Sequence, residues 1–498
     1  METGRPSPDR PGRRIRAAAP LLAAAAVAAL PAPAGLAPHA WSYFAVFVGV
    51  VLGLILEPLP NSAVGLLGVA VTVTLSRWTL FSAADLARPG FQPDARALEW
   101  GLSGFQNPAV WLAFSAFMFG LGYEKTGLGR RIALWIVRAL GRGTLRLGYA
   151  AVLVDVVLAP FTPSNTARSA GMVYPILRGI PPLYGSEPFR PTARRIGGYL
   201  LWTAFAASCV TSSLFLTALA PNLISVEVIR RMAHVDIGWL RWLAVAATFG
   251  VPLLAIVPLL GFLLHAPEVR ASPEVPRWAG EELARLGPLS RAEVLFGLLV
   301  LGALALWILG GSFVHPTSVA LLVLGAMLVT RIATWEEMAS HGPAWDMLFR
   351  LASLVALADG LTRTGFVGWF AAGLAGRLGG VPPAVAVVAL VAAYFLSHYL
   401  FATTTAHATA LLPVVLGVGL AIPGLPAGPF AMLLAFSHGL MGILSPYATG
   451  PAPVYHGSGY LPSGVFWRLG AAFGLVFLAL LLAVGFPAAM ALAPAAAG

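Results

Sequence analysis

The chain has 498 residues, of which 58% are hydrophobic and only 10% are charged, and its mean hydropathy is +0.82. Soluble globular proteins carry roughly 25% charged residues, which excludes a water-soluble domain of this length. Apolar runs recur along the whole chain, many of them near the roughly 20 residues that a helix needs to cross a bilayer. The composition therefore predicts an all-α polytopic protein embedded in membrane lipid.

The formal net charge of +11 would suggest nucleic-acid binding in a soluble protein. Here the basic residues lie between apolar runs, in the pairs Arg13-Arg14, Arg130-Arg131, Arg194-Arg195 and Arg230-Arg231. Short basic loops are retained on the cytoplasmic side of a membrane. We therefore interpret the excess as a record of topology and expect no nucleic-acid partner.

The first apolar run, 17–30, follows Arg13, Arg14 and Arg16 and could be a cleaved signal peptide. A second apolar run, 44–56, follows almost at once, with no polar mature domain after it. This order favours a retained first span with a cytoplasmic N-terminus.

In chain order, the apolar runs predict about eleven spans, near 15–36, 41–57, 62–81, 108–124, 196–220, 239–265, 291–311, 316–331, 346–359, 428–448 and 465–492. Two further regions, about 131–180 and 367–418, are apolar but broken by Pro, Gly, Ser and Thr, which favours re-entrant helical hairpins. The charged stretch 266–290 predicts a cytoplasmic linker with a short surface helix, and 86–107 predicts a polar loop.

The two halves on either side of the linker, 1–265 and 291–498, carry corresponding motifs. Thr166 follows Gly127 by 39 positions, and Thr405 follows Gly365 by 40. The aligned features are Lys125-Thr126-Gly127 with Arg363-Thr364-Gly365, Ser164-Asn165-Thr166 with Thr403-Thr404-Thr405, Arg168 with His407, and Thr217, Pro221 and Asn222 with Thr449, Gly450 and Pro451. Interrupted helices at corresponding positions of two repeats indicate a secondary transporter with a midplane site. The span boundaries leave the relative orientation of the repeats open.

A turn inside the bilayer must line a polar cavity, because lipid cannot satisfy its free backbone groups. The hydroxyl and amide side chains of Ser164-Asn165-Thr166 and Thr403-Thr404-Thr405 suit such a turn, and helix N-termini that begin there attract anions. Two such turns facing each other would hold a molecule with an anionic group at each end. The breaks at Thr217, Pro221 and Asn222 and at Thr449, Gly450 and Pro451 would close the site from the other side.

Charged side chains near these turns bear on the coupling mechanism. Arg168 and His407 each lie two residues after a turn motif, where an ionisable group is costly and is a functional candidate. Fixed positive charge from Arg168 and a protonatable His407 could offset an anionic substrate without bound cations. Asp155 is also expected to be buried, either paired with an arginine or as a proton site.

Motifs for catalysis or metal binding are missing from the sequence. It contains no HExxH, no GxxxxGK and no GxSxG, and Cys209 is the only cysteine. We therefore expect no enzyme activity, no catalytic residue, no cofactor, no metal site and no disulfide within the chain.

At these residues the sequence resembles the divalent anion:sodium symporter family, and more closely its branch of 2-oxoglutarate/malate translocators and citrate/succinate antiporters. The motifs that carry the resemblance are PFTPSNTAR at 160–168, SHYLFATTTAH at 397–407, YATGPAPVY at 447–455, GYEKTGLGRR at 122–131 and EPLP at 57–60. The resemblance implies inverted repeats, a homodimer and an elevator-type cycle. It also implies that Ser164, Asn165 and Thr166 grip substrate carboxylates. Thr403-Thr404-Thr405 replaces the second Ser-Asn-Thr motif of the sodium-coupled members, which puts a second sodium site in doubt.

Together these features predict an inner-membrane carrier that exchanges C4–C6 di- or tricarboxylates such as succinate, malate, 2-oxoglutarate, tartrate or citrate without sodium. Sodium- or proton-coupled symport of the same acids is the main alternative. A membrane-embedded hydrolase is a remote one, and an anion channel is also conceivable.

Overall fold

The computed structural model describes residues 11–56, 58–310, 313–378 and 380–492. Within those ranges the chain forms helices and no strand, and the only β-type pairing is an isolated bridge between Gly143 and Ala271. The all-α prediction is confirmed. Glu57, the first residue of the EPLP motif, lies outside the described residues.

Helices follow one another along the whole described chain. Those before the linker are α1 (Pro11–Ala29), α2 (Pro38–Leu56), α3 (Asn61–Thr74), α4 (Ser76–Thr79), α5 (Ala83–Leu86), α6 (Pro93–Leu102), α7 (Pro108–Thr126), α8 (Leu128–Leu140), α9 (Thr144–Leu158), α10 (Tyr174–Arg178), α11 (Gly197–Leu214), α12 (Ala220–Ala233) and α13 (Trp239–Leu264). Those from the linker onward are α14 (Glu274–Leu286), α15 (Arg291–Leu309), α16 (Pro316–Val329), α17 (Trp335–Ser340), α18 (Gly342–Arg363), α19 (Phe366–Leu378), α20 (Pro383–Leu396), α21 (Thr404–Leu420), α22 (Ala427–Leu440), α23 (Ala452–Gly457), α24 (Ser463–Leu480) and α25 (Phe486–Leu492).

Shorter helical segments of other types interrupt or extend these helices. The 3-10 segments are Ser103–Gln106, Ala159–Phe161, Pro181–Tyr184, Pro191–Arg194, Leu216–Ala218, Ser397–Leu400 and Met441–Ile443, and the π-helical segments are Thr166–Val173 and Leu481–Gly485.

Six helices of the described chain are long and apolar enough to cross a membrane, and five shorter apolar helices accompany them. The long ones are Pro38–Leu56, Thr144–Phe161, Trp239–Leu264, Arg291–Leu309, Pro383–Leu400 and Ser463–Leu492. Most of the predicted apolar runs coincide with these helices to within a few residues. The total of eleven spans stays a prediction.

Two predictions about the polar stretches had different outcomes. The linker contains the expected short helix, α14. The stretch 86–107 is not only a loop, because α6 forms within it. Pro93 in the first turn and Asp94 beside it favour a helix start there, and Trp100 is buried on one face.

The chain divides into two compact units, each of which takes a segment from both sides of the linker. The first unit spans 1–110 and 346–379, and the second spans 111–345 and 380–498. In the first unit, the Tyr43 hydroxyl donates a hydrogen bond of 2.6 Å to the carbonyl of Leu357. The bounds of the two sequence repeats remain predictions.

The sequence match between Lys125-Thr126-Gly127 and Arg363-Thr364-Gly365 has a common backbone basis. Gly127 lies between α7 and α8 with φ of 74°, and Gly365 lies between α18 and α19 with φ of 86°. Only glycine adopts this left-handed conformation without strain. Both motifs therefore end one helix and begin the next in the same way.

Both predicted hairpin regions contain a helix that breaks and resumes. In the first, α9 ends at Leu158 and the π-helical segment Thr166–Val173 begins after a short break. In the second, α20 ends at Leu396 and α21 begins at Thr404. We name residues 162–168 tip 1 and residues 401–407 tip 2. The later interruptions, 215–219 and 444–451, are named break 1 and break 2.

Candidate functional site

Tip 1 begins a helix with a hydroxyl cap. Oγ of Ser164 accepts a hydrogen bond of 3.2 Å from the backbone N–H of Ala167, and the Ser164 carbonyl accepts one of 2.9 Å from the N–H of Arg168. A serine at this position satisfies one of the free N–H groups of a helix N-terminus. Thr166 and Ala167 are exposed on this first turn.

Tip 2 uses the same cap at the aligned position. Oγ1 of Thr403 accepts a hydrogen bond of 3.1 Å from the N–H of Ala406, and its carbonyl accepts one of 3.2 Å from the N–H of His407. Thr404 is buried and Thr405 is half-buried. Ser164 and Thr403 therefore play the same structural part, which agrees with the alignment of the two motifs.

Tip 1 contacts break 2 directly. Nδ2 of Asn165 donates a hydrogen bond of 2.7 Å to Oγ1 of Thr449. A Cβ atom on Gly450 would lie 1.8 Å from Oγ1 of Thr166, so the backbone of break 2 approaches this side chain as closely as only glycine permits. The structure thus joins predicted site residues from the two halves.

The polar side chains at and just after break 1 bond to backbone carbonyls. Oγ1 of Thr217 donates a hydrogen bond of 2.5 Å to the carbonyl of Pro160, just before tip 1. Nδ2 of Asn222 donates one of 2.7 Å to the carbonyl of Ser212 and thereby spans the break. Both side chains are fully buried. Their contacts stabilise the interrupted backbone at the base of tip 1.

The two prolines predicted at the breaks lie at helix starts. Pro221 is in the first turn of α12, and Pro451 precedes α23. Proline suits these positions because the first N–H groups of a helix need no partner within it. The helix that follows break 1, α12, packs against α21 of tip 2.

Arg168 is fully buried, and its guanidinium is surrounded by acceptors. Nε lies 3.2 Å from Oδ1 of Asp155, so of the two alternatives predicted for that carboxylate the structure shows pairing with an arginine. The remaining N–H groups donate to the carbonyls of Thr162 and Ala218, at 2.9 and 3.1 Å, and to the hydroxyls of Thr211 and Ser212, at 3.3 and 3.2 Å. Arg168 therefore links tip 1, break 1, α9 and α11. The carboxylate of Asp155 offsets its positive charge.

His407, the last residue of tip 2, is surrounded by the rings of Tyr394, His398 and Phe401. Nε2 lies 2.9 Å from Oγ of Ser397, whose own hydroxyl donates to the carbonyl of Tyr394 at 2.7 Å. Because the Ser397 hydroxyl donates its hydrogen to Tyr394, its oxygen accepts from Nε2 of His407. The neutral ring therefore carries its proton on Nε2, and Nδ1 is unprotonated. The rings of Phe401 and His398 lie 4.8 and 5.0 Å away, centroid to centroid. No hydrogen bond to Nδ1 is formed within the described part of the chain.

A cavity of about 1080 Å³ opens at tip 1. Thr162, Ser164 and Thr166 line one part of it, and the linker helix α14 lines another. Asn165, Arg168 and Tyr455 do not line it, and their side chains are buried. Of the first motif, Ser164 and Thr166 therefore line the cavity, whereas Asn165 does not.

Two polar groups around the tips were missed by the sequence analysis. Thr211 and Ser212 hold Arg168, and Thr211 also donates to Asp155. The four hydroxyl residues within 208–213 of otherwise apolar α11 are a signal that could have identified them. Close to these residues, the Tyr455 hydroxyl lies 2.9 Å from Oγ of Ser169, within hydrogen-bond distance.

The second missed group surrounds His438. Nδ1 of His438 lies 3.0 Å from Oγ of Ser225, and Nε2 lies 2.6 Å from the hydroxyl of Tyr394. These contacts join α22 to α12 and α20. The sequence does not reveal these contacts, because the three residues are far apart in the chain and lie on three separate helices.

Comparison with known proteins agrees with these motifs. The family model described as the sodium:sulfate symporter transmembrane region matches residues 13–493. The L-tartrate/succinate antiporters of Escherichia coli (strain K12) and Shigella sonnei (strain Ss046) are each 48% identical over 468 residues, covering 94% of this chain and 96% of the relative. The crystal structure of the Alcanivorax borkumensis YdaH transporter matches with a TM-score of 0.47 at 16% identity, over 86% of this chain and 96% of that one. The protein is a membrane transporter and belongs to the divalent anion:sodium symporter family.

Proposed function

We propose that this protein is a secondary active transporter of the inner membrane that exchanges C4–C6 di- or tricarboxylates without sodium. The observation that carries the proposal is that tip 1 lines a cavity through Ser164 and Thr166 and is also joined to break 2, through Asn165 and Thr449 and through Thr166 and Gly450. The identity of 48% to L-tartrate/succinate antiporters supports this substrate class. Succinate, tartrate, malate, 2-oxoglutarate and citrate are the candidate substrates.

One substrate carboxylate would bind at tip 1. Thr166 is exposed to the cavity on the first turn of a helix, where free N–H groups and the helix dipole favour an anion. Thr404 and Thr405 would offer the equivalent groups at tip 2 for the second carboxylate. Thr449, Gly450 and Pro451 would complete the wall next to tip 1.

Arg168 and His407, the two residues predicted to compensate charge, would act in different ways. Because Asp155 neutralises Arg168 locally, the guanidinium would act on the substrate through the tip that it holds in place. His407 would supply positive charge only when a proton is added at Nδ1, which makes no hydrogen bond within the described part of the chain.

The backbone carbonyls that Arg168 occupies support sodium independence. The carbonyls of Thr162 and Ala218 accept hydrogen bonds from Arg168. Unwound backbone carbonyls of this kind coordinate sodium in other secondary transporters. The guanidinium of Arg168 would occupy that position in place of a sodium ion. Coupling to sodium or protons is the alternative that this argument disfavours.

The cycle would follow an elevator mechanism in a homodimer, with the N-terminus in the cytoplasm. Each half of the chain contributes one tip and one break, which suits a binding site that moves as a unit between the two faces of the membrane. The basic residues beside the first span support the cytoplasmic N-terminus.

The test is counterflow in proteoliposomes that contain the purified full-length protein. Vesicles loaded with unlabelled succinate should accumulate external radiolabelled succinate or tartrate, equally with sodium or with choline outside. Empty vesicles should accumulate little label. Uptake into empty vesicles driven by a sodium or proton gradient would establish symport, and uptake that does not saturate would establish a channel.

A further inference from the structure

The cavity at tip 1 is walled on one side by the linker helix. Trp278, Glu282 and Leu286 of α14 line it together with Thr166 and Ala167 of tip 1. α14 buries Val275, Ala279 and Leu283, and it packs against α8. The linker therefore forms part of the access route to the site, in addition to connecting the two halves.

A buried arginine fixes the end of this helix. Arg131 on α8 pairs with Glu293 at 2.5 Å, and both side chains are almost fully buried. Its guanidinium also donates to the carbonyl of Gly287 at 2.9 Å, directly after α14. Removing one member of a buried ion pair is strongly destabilising, so Arg131 holds the linker firmly in place.

Arg130, the preceding residue, points to the cavity instead. Its Nη2 lies 2.8 Å from Oε2 of Glu282 across the cavity wall, and its side chain is 55% exposed whereas that of Glu282 is 13% exposed. The other carboxylate oxygen of Glu282 accepts from Arg285 at 2.5 Å. Ion pairs with an exposed partner contribute little to stability. Glu282 can therefore release Arg130 at small cost.

Arg130 is the only arginine or lysine among the described residues that line this cavity. The other ionisable groups along it are Glu124, Glu282, His341 and Tyr123. Burial lowers the pKa of His341, and the nearby Glu124 carboxylate raises it by less, so the imidazole is mainly neutral at pH 7. The positive charge that an approaching anion meets inside the cavity is therefore that of Arg130.

We propose that Arg130 and Glu282 form an exchangeable ion pair that admits the substrate: a substrate carboxylate displaces Glu282 from Arg130 on its way to tip 1. This inference rests on the proposed dicarboxylate function. A cation inside a cavity concentrates anions and speeds their arrival, and a guanidinium binds a carboxylate through two parallel hydrogen bonds. Glu282 competes with the substrate carboxylate for the guanidinium of Arg130. This competition lets the substrate leave Arg130 and move on to tip 1.

The test is the kinetics of succinate counterflow at low and at physiological salt. Arg130→Gln should raise KM roughly threefold to tenfold at low salt and flatten its salt dependence, with Vmax unchanged, because a charge at the rim of a site mainly affects association. Glu282→Gln should lower KM and steepen its salt dependence. Arg130→Lys should retain most of the wild-type KM. Arg277→Gln is the matched control, since Arg277 pairs with Glu281 on the same helix, is 85% exposed and does not line the cavity.

The outcomes separate this inference from the proposed function. Wild-type KM and salt dependence in Arg130→Gln would overturn the role of the ion pair. If Arg130→Gln fails to reach the membrane, Glu282→Gln provides the test instead. An unchanged or higher KM in Glu282→Gln would also overturn the role of the ion pair. Wild-type vesicles that exchange no dicarboxylate would instead overturn the proposed function.

Discussion

Nδ2 of Asn165 donates a hydrogen bond of 2.7 Å to Oγ1 of Thr449, 284 positions later in the chain. Asn165 is 6% exposed and Thr449 is 3% exposed, so the bond is shielded from solvent. A buried donor that loses its partner retains the cost of its desolvation. Tip 1 and break 2 are therefore held together by a bond that is costly to break.

Asn165→Ala and Thr449→Val should each destabilise the protein by about 1–3 kcal/mol, because each leaves a buried polar group without its partner. The double variant should be less destabilised than the sum of the two. Thermal unfolding of the purified protein in detergent measures the coupling, and counterflow measures the accompanying loss of transport. Strictly additive effects would show that the bond contributes nothing to stability.

Arg168→Gln should destabilise the protein by about 3–5 kcal/mol, because it leaves Asp155 as an unpaired buried carboxylate. Replacement of both residues, Arg168→Met with Asp155→Leu, should recover much of that stability but no transport, since the carbonyls of Thr162 and Ala218 lose their donor. Full counterflow in the double variant would mean that the pair serves folding alone.

Gly450→Ala should lower the transport rate and the unfolding temperature, because the new methyl group would lie 1.8 Å from Oγ1 of Thr166. Gly457→Ala is the matched control, since a Cβ atom there meets no atom within 4 Å. Counterflow and thermal unfolding of the two variants give the comparison. Equal behaviour of both variants would contradict the close contact between tip 1 and break 2.

Thr166→Cys should react with a polar thiol reagent, and saturating succinate should slow the reaction, because residue 166 is exposed to the cavity at the proposed carboxylate site. The native Cys209 is buried and should stay unlabelled. Ser169→Cys, three positions farther on and fully buried, is the control that should not react. Labelling that succinate does not slow would place the substrate elsewhere.

The sequence predicted the helices, the interrupted regions and the pairing of the two motifs, because each depends on local signals. Apolar length predicts a span, Pro and Gly predict a break, and the spacing from Gly127 and Gly365 aligned Ser164 with Thr403, which the common caps support. The helix α6 was missed because its polar composition indicated a loop, although Pro93 is a residue that favours the start of a helix.

The contacts of the tips could not be predicted in the same way, because they join residues that are far apart in the chain. Spacing placed Arg168 in tip 1 but did not show the five residues that accept its hydrogen bonds, which come from α9, α11 and both interruptions of the first half. In the same way it predicted Thr217 and Asn222 at the site, whereas the structure shows them bonded to backbone carbonyls near its base.

The division of each unit between distant segments also constrains how the protein is made. The hydroxyl of Tyr43 finds its acceptor at Leu357, 314 positions later. Synthesis proceeds from the N-terminus, so the helices of 1–110 enter the membrane long before 346–379 has been translated. A nascent chain truncated before residue 346 would leave the Tyr43 hydroxyl in apolar surroundings without its acceptor. The N-terminal helices thus depend on a late segment of the chain, and folding of the first unit can finish only after most of the polypeptide has left the ribosome.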